Sequence, residues 1–183
     1  MVSLATVGER FDIAFRVIEG GSGIITGVLS ETDQNAQPAY VFVNPRHVLR
    51  TVYPTALKIG MVIESLQGSK FIVGDNGPSE NWRGTLFQSF RLFEPTGRYS
   101  WKRRTRIVDP ITKAERDGPL ETLGTIWAAI EALEREVNDS RLRQSFEQNR
   151  FITGAPVQSD DLIDNRPITK VDKQLGLQIG VLT

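Results

Sequence analysis

The sequence has no cysteine. That excludes disulfides, thiolate nucleophiles and cysteine-ligated zinc or iron–sulfur centres. It has one histidine, His47, so a two-histidine metal site is excluded as well. Neither sign of charge is in excess, because 22 Lys and Arg balance 22 Asp and Glu. A dedicated nucleic-acid binder is more often strongly basic, so any electrostatic partner must meet a local patch. No apolar run approaches the roughly 20 residues of a membrane-spanning helix, and no membrane partner is expected. Residues 1–10 lack a basic stretch followed by an apolar one, so no secretory leader is expected.

What is present reads as strand. With 183 residues, 39% of them hydrophobic, the chain can bury a core without a metal or disulfide staple. Phe11, Ile13, Phe15 and Val17 alternate with Asp12, Ala14 and Arg16, the period of a half-buried strand. Gly20-Gly21-Ser22-Gly23 reads as a hairpin tip. Apolar runs follow at 24–29, 40–43, 61–63, 71–73 and 86–93, divided by polar or Gly/Pro-rich turns such as Asp75-Asn76-Gly77-Pro78. The expected fold is mainly β, a small β-barrel or meander with long loops. It is read as a single β-rich domain over 1–183, with an elaboration over 1–95 and a barrel-like core over about 99–183. One helix is expected over about 124–149, from the spacing of Ile126, Ile130, Leu133 and Val137. Its front half, 124–133, also fits a strand.

Ile59-Gly60-Met61-Val62-Ile63-Glu64 echoes Ser159-Asp160-Asp161-Leu162-Ile163-Asp164. Each is followed by a short turn and a β-rich stretch. This echo favours a meander or small barrel over a βαβ architecture.

Catalytic patterns are not found. His47 has no obvious partner and reads as a surface or interface residue. Gly20-Gly21-Ser22-Gly23 is not closed by the Gly-Lys-Ser/Thr of a phosphate loop, and there is no Gly-x-Ser-x-Gly elbow. Asp160, Asp161 and Asp164 cluster but lack the loop pattern of a calcium hand. The expectation is a non-enzymatic protein with no catalytic residue, metal or cofactor. The main electrostatic feature is Trp101-Lys102-Arg103-Arg104-Thr105-Arg106. On a strand, Lys102, Arg104 and Arg106 share one face. That face suits phosphates or a partner's acidic rim, or simply protects an exposed strand from aggregation. Trp82 and Trp101 are candidate partner anchors, while core packing is the commoner role for Trp101 and Trp127.

Two stretches carry a resemblance. One is Gly124-Thr125-Ile126-Trp127-Ala128-Ala129-Ile130-Glu131-Ala132-Leu133. The other spans 150–182, with Phe151-Ile152-Thr153-Gly154, Asp160-Asp161-Leu162-Ile163-Asp164 and Ile168-Thr169-Lys170-Val171-Asp172. Together with the Asp109-Pro110-Ile111-Thr112 turn, they resemble the head–tail joining (head closure or stopper) proteins of tailed bacteriophages. The likeness covers about half the chain, from roughly Trp101 onwards.

The resemblance implies a small β-barrel that assembles with copies of itself in a six- or twelve-fold ring, located in the virion neck after assembly in the host cytoplasm. It implies portal or adaptor and tail proteins as partners, with packaged double-stranded DNA in the channel. Lys102, Arg103, Arg104 and Arg106 are then candidates for the DNA channel or a subunit interface. Competing readings are another tail component, such as a terminator or baseplate protein, and a β-barrel nucleic-acid-binding module. A small carboxylate hydrolase is a third, which no residue pattern selects.

Overall fold

A computed structural model describes residues 12–31, 47–75, 79–82, 84–139 and 142–183; for residues 12, 80, 82 and 133–148 the backbone alone is described. The expected strands at Phe11 and 40–43 and the Asn76-Gly77-Pro78 turn fall wholly or partly outside these residues. The described chain is mainly β, as its alternation predicts. Among the described residues there are thirteen strands and no helix.

The alternation at Phe15 and Val17 becomes β1 (Asp12–Glu19), with both side chains buried. β2 (Ile24–Glu31), β3 (His47–Val52), β4 (Val62–Ser65), β5 (Lys70–Val73), β6 (Glu80–Trp82) and β7 (Thr85–Phe93) follow. They form a seven-stranded sheet in the order β3-β2-β1-β4-β5-β7-β6. An extra pairing of β3 with β7 closes six of those strands into a ring, leaving β6 outside as the hairpin partner of β7. Phe15, Leu49, Ile63, Phe71, Phe90 and Leu92 fill it.

After Glu94-Pro95-Thr96 the chain enters a second closed barrel. Its strands are β8 (Gly97–Val108), β9 (Glu115–Asp139), β10 (Leu142–Thr153), β11 (Leu162–Ile163), β12 (Arg166–Gln174) and β13 (Leu177–Leu182), closed in the order β10-β13-β12-β11-β8-β9. Ile126, Phe151, Val157, Ile163, Ile168 and Leu182 fill it. Among the described residues, Asp164-Asn165 and Leu175-Gly176 form tight two-residue turns, each with two consecutive positive φ values. Such turns match the twist of the flanking strands.

The helix expected over 124–149 is overturned, because 124–139 lie in β9 and 142–149 in β10. The physical reason is visible at Ile126 and Ile130. A spacing of four is even, so it places two residues on one face of a strand as well as of a helix. β9 pairs with β8 over its first half and with β10 over its second. Ladder pairing, with β8 up to Ala128 and with β10 from Ala128 onwards, overrides a modest helix preference.

The two barrels share one connectivity. Written as strands a to f in chain order, each closes as a-b-c-f-e-d. The sequence echo falls on strand d of each. Gly60 N donates to Val73 O at 2.8 Å and Val73 N to Met61 O at 2.9 Å; Asp160 N donates to Ile168 O at 3.0 Å and Ile168 N to Asp161 O at 2.8 Å. Gly60 and Asp160 both have positive φ, 87° and 72°. Val62 pairs with Ile72 where Leu162 pairs with Pro167.

An apolar seam joins the barrels. Val62, Ile72 and Phe93 of the first meet Ala129, Ile152, Leu177 and Ile179 of the second, all buried. Trp127 packs on this cluster, with Lys70 and Arg98 against its ring at 5.7 and 5.9 Å. Gly154 and Gly60 touch backbone to backbone, and a Cβ on Gly154 would collide with the Gly60 carbonyl.

Candidate functional site

β8 and β9 leave the second barrel as a hairpin arm. β11 meets β8 only at Trp101 and Lys102, whereas β8 continues to Val108. Six further residues at strand rise extend the arm roughly 20 Å. Its tip, 109–114, is an Asx turn: Asp109 Oδ1 accepts from the backbone N–H of Ile111 at 2.8 Å and of Thr112 at 3.1 Å. The N–H groups of Thr112 and Ile111 stabilise the ionised form and hold the Asp109 carboxyl below its ordinary pKa.

Alternation along β8 sorts the cations. Arg103 lies on the Trp101 side and reaches Asp161, with Nε to Oδ1 at 2.7 Å and Nη2 to Oδ2 at 2.9 Å. Trp101 Nε1 donates to Asp161 Oδ2 at 2.9 Å, and so does the Gln158 backbone N–H at 2.9 Å. Asp161 is 1% exposed. Burial opposes its ionisation, but the Arg103, Trp101 and Gln158 donors outweigh that cost and its pKa is lowered. The same ion pair raises the pKa of Arg103. This node fastens the base of the arm to the 158–161 turn, and it uses two of the residues singled out from sequence, Arg103 and Trp101, as internal ties.

The opposite face carries Lys102, Arg104 and Arg106. Lys102 Nζ donates to Asn165 Oδ1 at 2.9 Å. Arg104 stands 3.6 Å from Asp117, and Arg106 stands 3.0 Å from Glu115. The stripe expected from the sequence is therefore present, but acids on β9 temper its charge. Such exposed pairs contribute little to stability and leave the cations able to exchange partners. Between arm and barrel lies a groove of about 510 Å³, lined by Arg103, Arg104, Arg106, Asp117, Leu162 and Pro167 among others.

The outer edge of β8 beyond Lys102 has no strand beside it among the described residues. Asp164 N donates to Ser100 O on that side. By alternation, the backbone groups of Arg104, Arg106 and Val108 face the same open edge. The arm also exposes Ile107 (55%), Val108 (52%), Ile111 (89%) and Leu120 (46%). An unsupported two-stranded hairpin is at best marginal in water, and apolar groups gathered on one exposed element mark a contact surface.

Sequence reading placed Asp161 in an acidic cluster with Asp160 and Asp164 and not as a partner of Arg103, and it did not single out the apolar side chains of the arm. The signal for the second was available, since Ile107-Val108 and Ile111 flank an Asp-Pro turn and break the polar character of a loop. Trp82 ends β6, but its side chain lies outside the described atoms. His47 Nε2 is 3.0 Å from Glu94 Oε1, with its ring edge-on to Phe71. Among the described residues, no three His, Asp or Glu side chains converge as a metal cage, and no helix is long and apolar enough to cross a membrane. No known protein family, curated protein or solved structure matches the chain.

Proposed function

We propose that this chain is a structural component of the head-to-tail connector, or neck, of a tailed bacteriophage. Copies assemble in a ring that joins the capsid and portal side to the tail and helps retain packaged DNA. The observation that carries this reading is the β8–β9 arm, a long hairpin with an open edge and exposed apolar residues, held at its base by the Asp161 node. A rigid barrel presenting an uncovered arm acts by contact, not by turnover. The resemblance of 124–133 and 150–182 to head–tail joining proteins supports the setting. In that ring Lys102, Arg104 and Arg106 face the DNA channel or a neighbour's acidic groups.

Gene disruption in the phage, followed by electron microscopy, tests the reading. Finished tails lying beside emptied capsids are the expected result. Attached tails of abnormal length indicate a tail role instead, and normal infectious particles remove the protein from assembly. Reversing Lys102, Arg104 and Arg106 to Glu is expected to impair joining or DNA retention; normal particles from that variant exclude the cationic face from either task.

A further inference from the structure

The second barrel sends out a hairpin at each end of its longest strand. β9 pairs with β8 up to Ala128 and with β10 from Ala128 onwards. β10 meets β13 from Asn149 to Thr153, so 133–139 and 142–148 run on beyond the barrel as a β9–β10 hairpin. The two hairpins stand at opposite ends of β9, and they differ in charge. The β8–β9 arm sets Lys102, Arg104 and Arg106 on one face. One face of the β9–β10 hairpin holds Glu134, Glu136 and Glu147, with Arg143 as its one cation.

Each hairpin also has an open edge, and the two edges match in phase. On β8, Ser100 O accepts from Asp164 N, so the backbone groups of even-numbered residues face the open edge. Both bulges of the β8–β9 ladder place their extra residue in β9, which keeps this phase as far as Val108. On β9, Ala128 O accepts from Thr96 N, and Ile130 N donates to Thr96 Oγ1. The β9–β10 ladder runs without a shift, so the backbone groups of Ala132, Glu134 and Glu136 turn to that same side. No strand stands there among the described residues. A hydrogen-bonded pair in an antiparallel ladder needs two residues that both face the junction. Even residues of β8 can therefore meet even residues of β9, and opposite charges across the ladder select the register. Arg104 falls beside Glu136 and Arg106 beside Glu134, which also sets Ile107 beside Leu133 and Val108 beside Ala132.

We infer that the β9 edge of one copy adds as an antiparallel strand to the β8 edge of the next, with Glu136 at Arg104 and Glu134 at Arg106. The partner is a second copy of this chain. The inference rests on the ring-assembly reading and names the two edges that make the ring. Two hairpins that are each marginal alone become one continuous sheet. Arg104 and Arg106 are exposed, and their pairs with Asp117 and Glu115 on the same arm leave them able to take a second acid. Beyond Glu136 the incoming hairpin reaches the position that Leu162 of β11 already holds opposite Lys102. Its end therefore turns outward, into the groove between arm and barrel. Because the two edges differ, the contact is head-to-tail, and such contacts propagate into rings or filaments.

Sedimentation velocity and cross-linking on the full chain test this. The wild type is expected to form species larger than a dimer as concentration rises. Arg104→Glu/Arg106→Glu and Glu134→Arg/Glu136→Arg each set like charges across the junction, and each alone is expected to stay monomeric. Mixed in equal amounts, the two restore opposite charge at every junction and are expected to assemble as the wild type does, which also demonstrates that both are folded. The register has its own readout. Thr105 and Arg135 fall opposite each other as a non-hydrogen-bonded pair, close enough for a disulfide, and the chain has no cysteine of its own. Thr105→Cys/Arg135→Cys under a mild oxidant is expected to give a series of linked copies, and Thr105→Cys/Glu134→Cys none. A wild type monomeric to its solubility limit, reversed variants that assemble like the wild type, a mixture that stays monomeric, or linking no stronger in the first cysteine variant than in the second each overturns the inference. The neck reading fails separately, by normal particles after gene disruption, whatever the sedimentation result.

Discussion

The two barrels differ most instructively at one matched position. In the first, Met61 follows Gly60 on the turn into strand d, and its sulfur accepts from Lys58 N at 3.3 Å. In the second, Asp161 holds the same place and accepts from Gln158 N at 2.9 Å. The strand facing Met61 turns away at Gly20-Gly21, whose missing Cβ atoms make room for the Met61 side chain. The strand facing Asp161 instead continues, and Arg103 reaches down to the carboxylate. One site ends a strand on an apolar plug; the other extends a strand and locks it with an ion pair. An arm can thus be added to a barrel at a single buried position without altering the strand order.

The largest expected effect tests the seam that both barrels share. Gly154→Val drives a side chain into the Gly60 backbone, and should cost at least about 4 kcal/mol in denaturant unfolding. A smaller loss would mean that the barrels separate without penalty and fold as independent units.

Next is the matched position itself. Arg103→Leu leaves the Asp161 carboxylate buried and unpaired, for about 3 kcal/mol or more. Adding Asp161→Met carries the first barrel's residue into the second and should return stability to within about 1 kcal/mol of wild type. If the double variant is as unstable as the single, Asp161 does more than hold Arg103.

Acid should separate the barrels less strongly. The folded pKa of Asp161 lies below its unfolded value of about 3.9. Its contribution is therefore fully present above that value and lost as pH falls through the lower folded pKa. Glu64, lowered by Lys70 and Arg16, and Asp109 titrate in the same direction. The difference between wild type and the Arg103→Leu/Asp161→Met variant isolates Asp161, and unfolding midpoints on acidification should fall more steeply in the wild type. Parallel slopes would place the acid sensitivity elsewhere.

The smallest effect on folding is expected from trimming. Replacing 104–120 with Asn-Gly, between paired Arg103 and Glu121, removes the arm but leaves both cores intact. Stability should stay within about 1 kcal/mol, while the head–tail joining proposed above should be lost. A large drop in stability would make the arm part of the fold rather than an addition to it.

Much of this was legible in the residues. Alternation at Phe15 and Val17 marked a strand, and the echo of 59–64 in 159–164 marked what prove to be equivalent hairpins. The one-sided placement of Lys102, Arg104 and Arg106 followed from period two alone. β9 was not legible as strand throughout, because Ile126 and Ile130 satisfy two periods at once and Glu and Ala favour the helix. The Asp161 node was hidden for a different reason: Arg103 and Asp161 are distant in sequence, and only barrel closure brings β8 beside the 158–161 turn. The partners of a buried charge are a property of topology, which local pattern does not encode.

Two neighbouring barrels with one strand order create a hazard while the chain folds. A hairpin from either could insert in the other's vacancy, and tandem similar units are prone to such exchange. The matched pair Met61 and Asp161 discriminates between the two outcomes. A β11–β12 hairpin placed in the first barrel would bury a carboxylate beside Gly20, with no guanidinium in reach, at a cost of several kcal/mol. A β4–β5 hairpin placed in the second would leave Arg103 and the Trp101 N–H facing a thioether. The residue that anchors the arm therefore also penalises an exchanged hairpin, and the correctly sorted pair of closed barrels is the more stable one.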